Sequence, residues 1–284
     1  MYFLCPEAFF IFAPLSVIFV SFYMRIGWFS TGRDEEARRL LEVVLFERMK
    51  GLKVDIAFVF CNREYGESPV TDQFLEFVKA HGLKLLLFSS RNFMPDLRTR
   101  DREAWREEYH RAVWNVIKDH DVEFSFLAGY MLIVGRSLIE VHRMLNLHPA
   151  IPGGPKGSWQ EVIWELISTE ADYAGAQIHL VTPELDEGPP VSFCKFSIKT
   201  PEFEPLWKAL RNDLKEKTLD EIRKTFPEDY PLFKKIRDEE FKREIPLILL
   251  TLRKVSLEGL KFLKGGIDLS DEVNEYIRAH SLRP

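Results

Sequence analysis

The chain has few cysteines and no surplus of basic residues among its 284 positions. Its three cysteines, Cys5, Cys61 and Cys194, lie far apart, which argues against a disulfide framework and against a Cys-x-x-Cys metal site. The formal net charge of -5 argues against a general nucleic-acid binder, because such proteins are usually basic. We therefore expect a protein of a reducing compartment, the cytoplasm, with no nucleic-acid partner.

The sequence motifs of several enzyme classes are also missing. There is no GxSxG elbow, no GxxxxGK(S/T) phosphate loop and no HExxH pair, and the seven histidines show no ligand spacing. Gly153, Gly154 and Gly157 do not match the GxGxxG dinucleotide fingerprint. The residues thus give no support for a covalent nucleophile or for a metal-dependent mechanism, and we expect no bound metal.

The first 23 residues are apolar and carry one charge, Glu7, with no lysine or arginine. A secretory signal needs a basic start and a small-residue cleavage site, and neither is visible. The apolar run is short for a membrane span, which needs roughly 20 residues. The segment is therefore an uncleaved anchor, an atypical signal, or the product of a mis-assigned start with Met24 as the true first residue. We favour the last interpretation and expect no membrane association.

From Arg25 onward, apolar strand-like runs alternate with amphipathic helical patterns. This alternation predicts an α/β fold, with an open, mostly parallel sheet covered by helices on both faces. Thr71 is a candidate cap of the second helix, and two later strands are joined by a turn at residues 186–190. Residues 201–284 are predicted to form a helical C-terminal extension of the domain at residues 24–200.

The stretch "LNLHPAIPGGPKG" places Asn146 and His148 at the end of the fifth predicted strand. The strand period of two puts both side chains on one face, and ligands of open parallel sheets bind at such strand ends. An imidazole can exchange protons near neutral pH, and an amide can stabilise an oxyanion. Asp186 could complete a catalytic set, although a strand-end histidine and a turn aspartate are also ordinary structural residues. His179 is predicted to be a packed sheet residue.

Three ordered segments, "FLAGYMLIV", "LNLHPAIPG" and "IHLVTPELDEGPPV", resemble the folate-dependent formyltransferase family. The resemblance is closest to the branch that formylates glycinamide ribonucleotide in purine synthesis. It covers about residues 24–198, and residues 243–252 also resemble the last helix of the family. It implies a Rossmann-like fold of the formyltransferase type and a soluble enzyme.

The resemblance implies direct transfer of a formyl group from 10-formyltetrahydrofolate, the co-substrate, to a primary amine. Asn146 would hold the formyl oxygen, His148 would be the polarising acid, and Asp186 would orient His148 or a water molecule. The loop at residues 151–157 would close over the ligands. The residues expected to line the folate pocket are Met131, Leu132, Ile133, Val134, Thr182 and Pro183.

The sequence departs from the family at the turn after the first strand. The family's G-x-G-S-N phosphate cradle is replaced by "TGRDEEA", which leaves Gly32 and Arg33 as candidate substrate-binding residues beside three acids. The acids suit the first turn of any helix, but they would also repel a phosphate. Trp159 stands where the ribonucleotide enzymes have a histidine, and it could stack on a substrate ring or pack on its own helix.

The tail after residue 200 balances its charges, which argues against an RNA-binding domain. Residues 211–242 are predicted to be a solvated cap or a homodimer contact. The favoured function is formylation of glycinamide ribonucleotide in purine synthesis. The alternatives are a formyltransferase for another amine, such as an amino sugar nucleotide, a formyltetrahydrofolate hydrolase, and a non-catalytic relative. The hydrolases carry an extra N-terminal domain, for which residues 1–23 are too short.

Overall fold

The computed structural model describes residues 23–262 and 264–281, so the interpretation of residues 1–22 lies outside the described residues. The strands are β1 (Met24–Ser30), β2 (Val54–Cys61), β3 (Leu85–Leu87), β4 (Phe124–Leu127), β5 (Met144–His148), β6 (Tyr173–Leu180), β7 (Pro190–Ser197) and β8 (Ile267–Asp268). The helices are α1 (Glu35–Met49), α2 (Pro69–Ala80), α3 (Pro95–Arg100), α4 (Arg102–Ile117), α5 (Arg136–Ile139), α6 (Trp159–Ser168), α7 (Glu204–Asp213), α8 (Leu219–Thr225), α9 (Pro231–Glu258) and α10 (Ser270–Ser281). None of the helices in this described part has the length and apolarity to cross a membrane.

The strands form one sheet in the order β3-β2-β1-β4-β5-β6-β7-β8. Pairing is parallel from β3 to β5, antiparallel between β5, β6 and β7, and parallel again between β7 and β8. This confirms the predicted open, mostly parallel α/β sheet. The strand order reverses at β1 and β4, and such a switch point creates a crevice at the carboxyl ends of the strands.

Both faces of the sheet are covered by apolar helix surfaces. Trp28 packs on one side with residues of α1, α2 and α9, and the next residue, Phe29, packs on the other side with residues of α4. Both aromatic side chains are fully buried. Burial on two faces explains why the strands are apolar throughout rather than alternating with polar residues.

The C-terminal helices are part of this core. The first half of α9 packs against α6 and α7 through Leu232 and Phe233, while its second half covers the sheet through Leu247 and Leu252. The helix continues through Pro246, although a proline removes one backbone hydrogen bond from a helix interior. Strand β8, which the sequence did not predict, pairs with β7. The tail is helical as predicted, and it also completes the sheet.

One predicted helix cap is wrong. The N-cap of α2 is Ser68, and Pro69 occupies its first turn, where a missing N–H costs nothing. The hydroxyl of Thr71 instead donates to the carbonyl of Gly32 at 3.0 Å. Thr71 therefore ties α2 to the turn after β1.

Candidate active site

The pairing of β5 with β6 brings two of the predicted catalytic residues together with a neighbour. In the β5–β6 ladder Asn146 lies opposite His179, and His148 lies opposite Gln177. Directly opposed residues of an antiparallel pair project from the same face. Asn146, His148 and His179 therefore share one face near the carboxyl end of β5.

Asp186 lies between two imidazoles. Its Oδ2 atom is 3.5 Å from Nδ1 of His148, and its Oδ1 atom is 3.7 Å from Nε2 of His179. The side chain of Asp186 is 8% exposed and those of both histidines are 3% exposed, so the charge acts with little solvent screening. The backbone N–H of Gly157 donates to Oδ2 at 3.3 Å. The structure thus places Asp186 against His148, a contact that the order of the two residues in the sequence does not show.

His179 is buried, as predicted for a packed sheet residue, but it also faces Asp186. Burial lowers the pKa of His179 below its usual value, while the nearby carboxylate of Asp186 acts in the opposite direction. Its Nδ1 atom lies 2.9 Å from the carbonyl of Leu180, and among the described residues its buried Nε2 atom has no hydrogen-bond partner. Sequence reasoning missed this contact because it depends on the β5–β6 register.

The glycine- and proline-rich loop covers His148. The Nε2 atom of His148 lies 2.8 Å from the carbonyl oxygen of Pro155, within hydrogen-bond distance. The imidazole is therefore held between a backbone carbonyl on one side and the carboxylate of Asp186 on the other. Its proton donor points at the loop rather than at an open space.

Asn146 is free to bind a ligand. Its side chain is half-buried and has no hydrogen-bond partner among the described residues. It borders a cavity of about 290 Å³ at the carboxyl ends of β4 and β5. Polar and aromatic residues from five parts of the chain line this cavity: Arg33, Asp34, Glu36, Tyr130, Asn146, Trp159, Arg237, Phe241 and Glu244.

Helix α9 supplies one wall of this cavity. Nη1 of Arg237 lies 2.5 Å from Oε1 of Glu244, and the guanidinium lies 4.8 Å from the ring centroid of Trp159. Trp159 also packs against Phe233, with ring centroids 5.7 Å apart. Trp159 therefore both packs on α9 and borders the cavity. Sequence analysis singled out neither Arg237 nor Glu244. Arg237 lies within residues 211–242, which we predicted to be a solvated cap or a dimer contact, and Glu244 lies in the stretch that resembles the last helix of the family.

The turn after β1 satisfies its own backbone groups. The N–H of Gly32 donates to Oγ of Ser30 at 3.1 Å, and its carbonyl accepts from Thr71. Gly32 has φ +57°, and a Cβ there would lie 2.8 Å from the ring of Phe74, so glycine is required. The carboxylate of Asp34 caps α1 by accepting from the N–H of Ala37 at 3.1 Å.

The residues predicted to line the folate pocket are only partly in one place. Leu132 and Val134 pack into the apolar cluster on the α4 side of the sheet, and Val181, which precedes Thr182, packs there too. Met131 and Ile133 are about half exposed. The hydroxyl of Thr182 donates to the carbonyl of Glu184 at 3.0 Å, and Pro183 is exposed.

A larger cavity, about 970 Å³, lies at the amino-terminal ends of β4 and β5, beside the segments that precede these strands. Of the predicted pocket residues, Thr182 lines it. It does not include Asn146, His148 or Asp186. Within residues 23–262 and 264–281, no three histidine, cysteine, aspartate or glutamate side chains are arranged to hold a metal ion.

Comparison with known proteins gives a family match. The model of the formyl transferase family matches residues 24–216, about two thirds of the chain. The chain is 35% identical over 79 residues to the chloroplastic phosphoribosylglycinamide formyltransferase of Arabidopsis thaliana, covering 26% of this chain and 27% of that protein. It is 28% identical over 104 residues to the Saccharomyces cerevisiae enzyme of that name, covering 34% and 49%. The chain thus matches half or less of the length of these relatives.

Solved structures share the fold. The phosphoribosylglycinamide formyltransferase of Coxiella burnetii superposes with a TM-score of 0.59 at 17% identity, over 87% of this chain and 99% of that one. Glycinamide ribonucleotide transformylase 1 of Symbiobacterium toebii gives a TM-score of 0.57 at 19% identity, over 88% and 95%. At these identities the similarity concerns the fold alone.

Proposed function

Since this chain belongs to the formyl transferase family, we propose that it transfers a formyl group from 10-formyltetrahydrofolate to a primary amine. The observation that carries the proposal is that Asn146 and His148 share one face of β5, with Asp186 against His148 and Asn146 bordering the cavity. We also propose that the enzyme works in the cytoplasm on two small molecules, without a nucleic-acid partner. A homodimer stays a prediction.

The residues at the site fit the formyl donor. Asn146 offers an amide with no partner among the described residues, which suits a carbonyl oxygen. Leu132 and Val181 are partly buried apolar residues on the α4 side of the sheet that suit a flat ring, and Val134 packs in the cluster beside them. Met131, Ile133, Thr182 and Pro183 complete the proposed folate-binding segments at the rim of that surface.

Asn146 acts on the formyl oxygen. As the amine attacks the formyl carbon, negative charge develops on this oxygen, and the side-chain N–H of Asn146 donates to it. A donor fixed before the reaction lowers the barrier because it needs no reorganisation. The rigid end of β5 provides this fixed position.

His148 acts on the same oxygen and on protons. In the proposed reaction its Nε2–H leaves the carbonyl of Pro155 and donates toward the developing oxyanion. Asp186 stabilises the protonated imidazole through Nδ1 and holds its orientation. The proton lost by the attacking amine then passes through this pair to the departing nitrogen of the folate.

Glycinamide ribonucleotide is the first acceptor to test, because the curated relatives carry that activity in their names. Gly32 and Arg33 are the proposed contacts at the turn after β1. A second acceptor class, another amine such as an amino sugar nucleotide, is favoured by the three acids that follow Arg33 at that turn.

The test uses the full chain with 10-formyltetrahydrofolate, with and without glycinamide ribonucleotide, and follows tetrahydrofolate release by absorbance. We expect release that requires an amine and is lost in His148→Ala. The matched control is His81→Ala, an exposed histidine that directly follows α2. Amine-independent release would indicate a hydrolase, and absence of 10-formyltetrahydrofolate binding would contradict the proposal.

A further inference from the structure

The cavity beside Asn146 has a wall that comes from outside the family match. Arg237, Phe241 and Glu244 belong to α9 and follow residue 216, where the matched region ends. Trp159 opens α6 and faces the same wall. Any amine that reaches the formyl group held at Asn146 from this cavity must pass these side chains.

The arginines of the cavity are already paired. Arg237 lies 2.5 Å from Glu244, and Nε of Arg33 lies 3.4 Å from Oδ2 of Asp34. The lining has two arginines against three carboxylates, since Glu36 also borders the cavity. A phosphate would have to displace a carboxylate from one of these guanidinium groups, and it would meet a net negative lining.

The N-terminus of α1 does not offer a binding site for an anion either. A free helix N-terminus attracts phosphate through its unpaired N–H groups. Here Asp34 accepts from the N–H of Ala37, and Glu35 and Glu36 add two more charges in the first turn. The N–H of Gly32 is bonded to Ser30. Protein carboxylates therefore occupy the position that a substrate phosphate would need.

The remaining chemistry of the cavity suits a hydroxylated ring. The Trp159 ring borders the cavity, is tilted by 48° against Phe233 and has Arg237 over one face, and flat or sugar rings stack on a free indole face. Glu244, Asp34 and Glu36 are acceptors for hydroxyl and amine N–H groups. The volume of about 290 Å³ lies at the lower end of the range for ligand pockets, which fits a single ring with a short amine arm.

We infer that Trp159, Arg237 and Glu244 determine acceptor specificity, and that the acceptor is a primary amine borne on a sugar or similar hydroxylated ring with no phosphate on the part that enters this cavity. The inference rests on the proposed formyl transfer. The ring stacks on Trp159, its hydroxyls donate to Glu244, and Arg237 holds Glu244 in place.

The experiment compares glycinamide ribonucleotide with its dephosphorylated ribonucleoside as acceptors, using the full chain and 10-formyltetrahydrofolate. We expect kcat/KM for the ribonucleoside to equal or exceed that for the ribonucleotide. Trp159→Ala should raise KM for the ribonucleoside at least tenfold without changing KM for 10-formyltetrahydrofolate, and Trp159→Phe should retain most of the affinity. Glu244→Gln frees Arg237 and should shift preference toward the ribonucleotide. Lys234→Ala, an exposed residue of the same helix, is the control.

A tenfold or greater preference of the wild type for the ribonucleotide would overturn the inference, as would an unchanged KM in Trp159→Ala. A further outcome is that the chain binds 10-formyltetrahydrofolate but formylates neither probe. In that case the affinities of the two probes, measured by calorimetry, test the inference. Binding of the ribonucleoside, weakened in Trp159→Ala, supports the inference, and tighter binding of the ribonucleotide or no binding of either probe overturns it. Failure to bind 10-formyltetrahydrofolate would instead count against the proposed function, while the calorimetric comparison would still test the cavity.

Discussion

His148 is hydrogen-bonded through Nε2 to the carbonyl oxygen of Pro155, 2.8 Å away, so the loop at residues 151–157 is closed onto the candidate acid. The other ring nitrogen faces Asp186 at 3.5 Å. Both contacts must be present for the imidazole to keep this orientation. For His148 to act on a ligand, the carbonyl of Pro155 has to give way to the ligand oxygen, which couples loop position to catalysis.

Replacing Asp186 by asparagine should expose its electrostatic role. The substitution keeps the shape but removes the charge between His148 and His179. We expect kcat to fall roughly 10²-fold or more, as for loss of a proton-transfer group. In the wild type, burial lowers the pKa of His179 and the carboxylate of Asp186 raises it. Removal of this carboxylate should therefore lower the pKa of His179 further.

Histidine NMR titration of wild type and Asp186→Asn measures this shift directly. His280, which is exposed on α10 and has no contact with Asp186 among the ion pairs and hydrogen bonds of the described residues, serves as the internal reference. An unchanged His179 titration would show that Asp186 does not act on it in solution.

Asn146→Asp should separate formyl-oxygen stabilisation from binding. The carboxylate keeps the volume of the amide but cannot donate to an oxyanion, so kcat should fall roughly 10²–10³-fold. Affinity for 10-formyltetrahydrofolate should change little. Asn115→Asp on the exposed side of α4 is the matched control. Retention of wild-type kcat in Asn146→Asp would remove Asn146 from the mechanism.

The stability of the fold should decrease below about pH 6.5 because two histidines are buried in the neutral form. Burial lowers the pKa of His110 and of His142 to about 4. As the pH falls, both histidines take up protons in the unfolded chain before they do so in the folded protein. Their contribution to the free energy of unfolding is therefore complete above pH 6.5 and is lost as the pH falls toward 4. At pH 5 each should cost about 2 kcal/mol of unfolding free energy.

Urea unfolding of wild type and His110→Gln at pH 7.5 and pH 5 measures the contribution of His110 to this pH dependence of stability. The variant should lose less stability between the two values than the wild type, and the exposed-site variant His81→Gln should match the wild type. Equal pH dependence in all three proteins would contradict a buried, neutral His110.

Two neighbouring glutamates of α9 should respond oppositely to neutralisation. Glu240 is fully buried, burial raises its pKa well above the usual value, and its oxygens have no hydrogen-bond partner among the described residues. Glu239 is partly exposed. Burial opposes its ionisation, but hydrogen bonds from Lys242, Arg243 and Lys235 lower its pKa to about 2.

Glu240→Gln should therefore stabilise the protein, and more at pH 8 than at pH 5. Because folding raises the pKa of Glu240, its contribution to the stability of the folded state is lost as the pH rises. Glu239→Gln should destabilise it by about 1 kcal/mol, since three partly exposed ion pairs lose one charge. Thermal unfolding of both variants at the two pH values provides the comparison. A Glu240→Gln variant that is less stable than the wild type at pH 8 would contradict a buried protonated carboxyl.

Much of the fold could be predicted from local patterns. The alternation of apolar runs with helical periods fixed the parallel sheet, because each strand must be buried on both sides and each helix must cover it. One local signal misled and another was lacking. Thr71 suggested a cap at α2, and the two-residue strand β8 is too short to leave a pattern.

The sequence by itself determined the catalytic candidates. Asn146 and His148 share a strand, and the strand period puts them on one face whatever the rest of the chain does. Tertiary structure alone decided their surroundings. The β5–β6 register set His179 beside them. The turn between β6 and β7 brought Asp186 to His148, and the loop at residues 151–157 brought Pro155. Helix α9 brought Arg237 and Glu244 to the cavity from about ninety positions along the chain. These contacts join distant residues through packing, and no local pattern of residues encodes a distance between them.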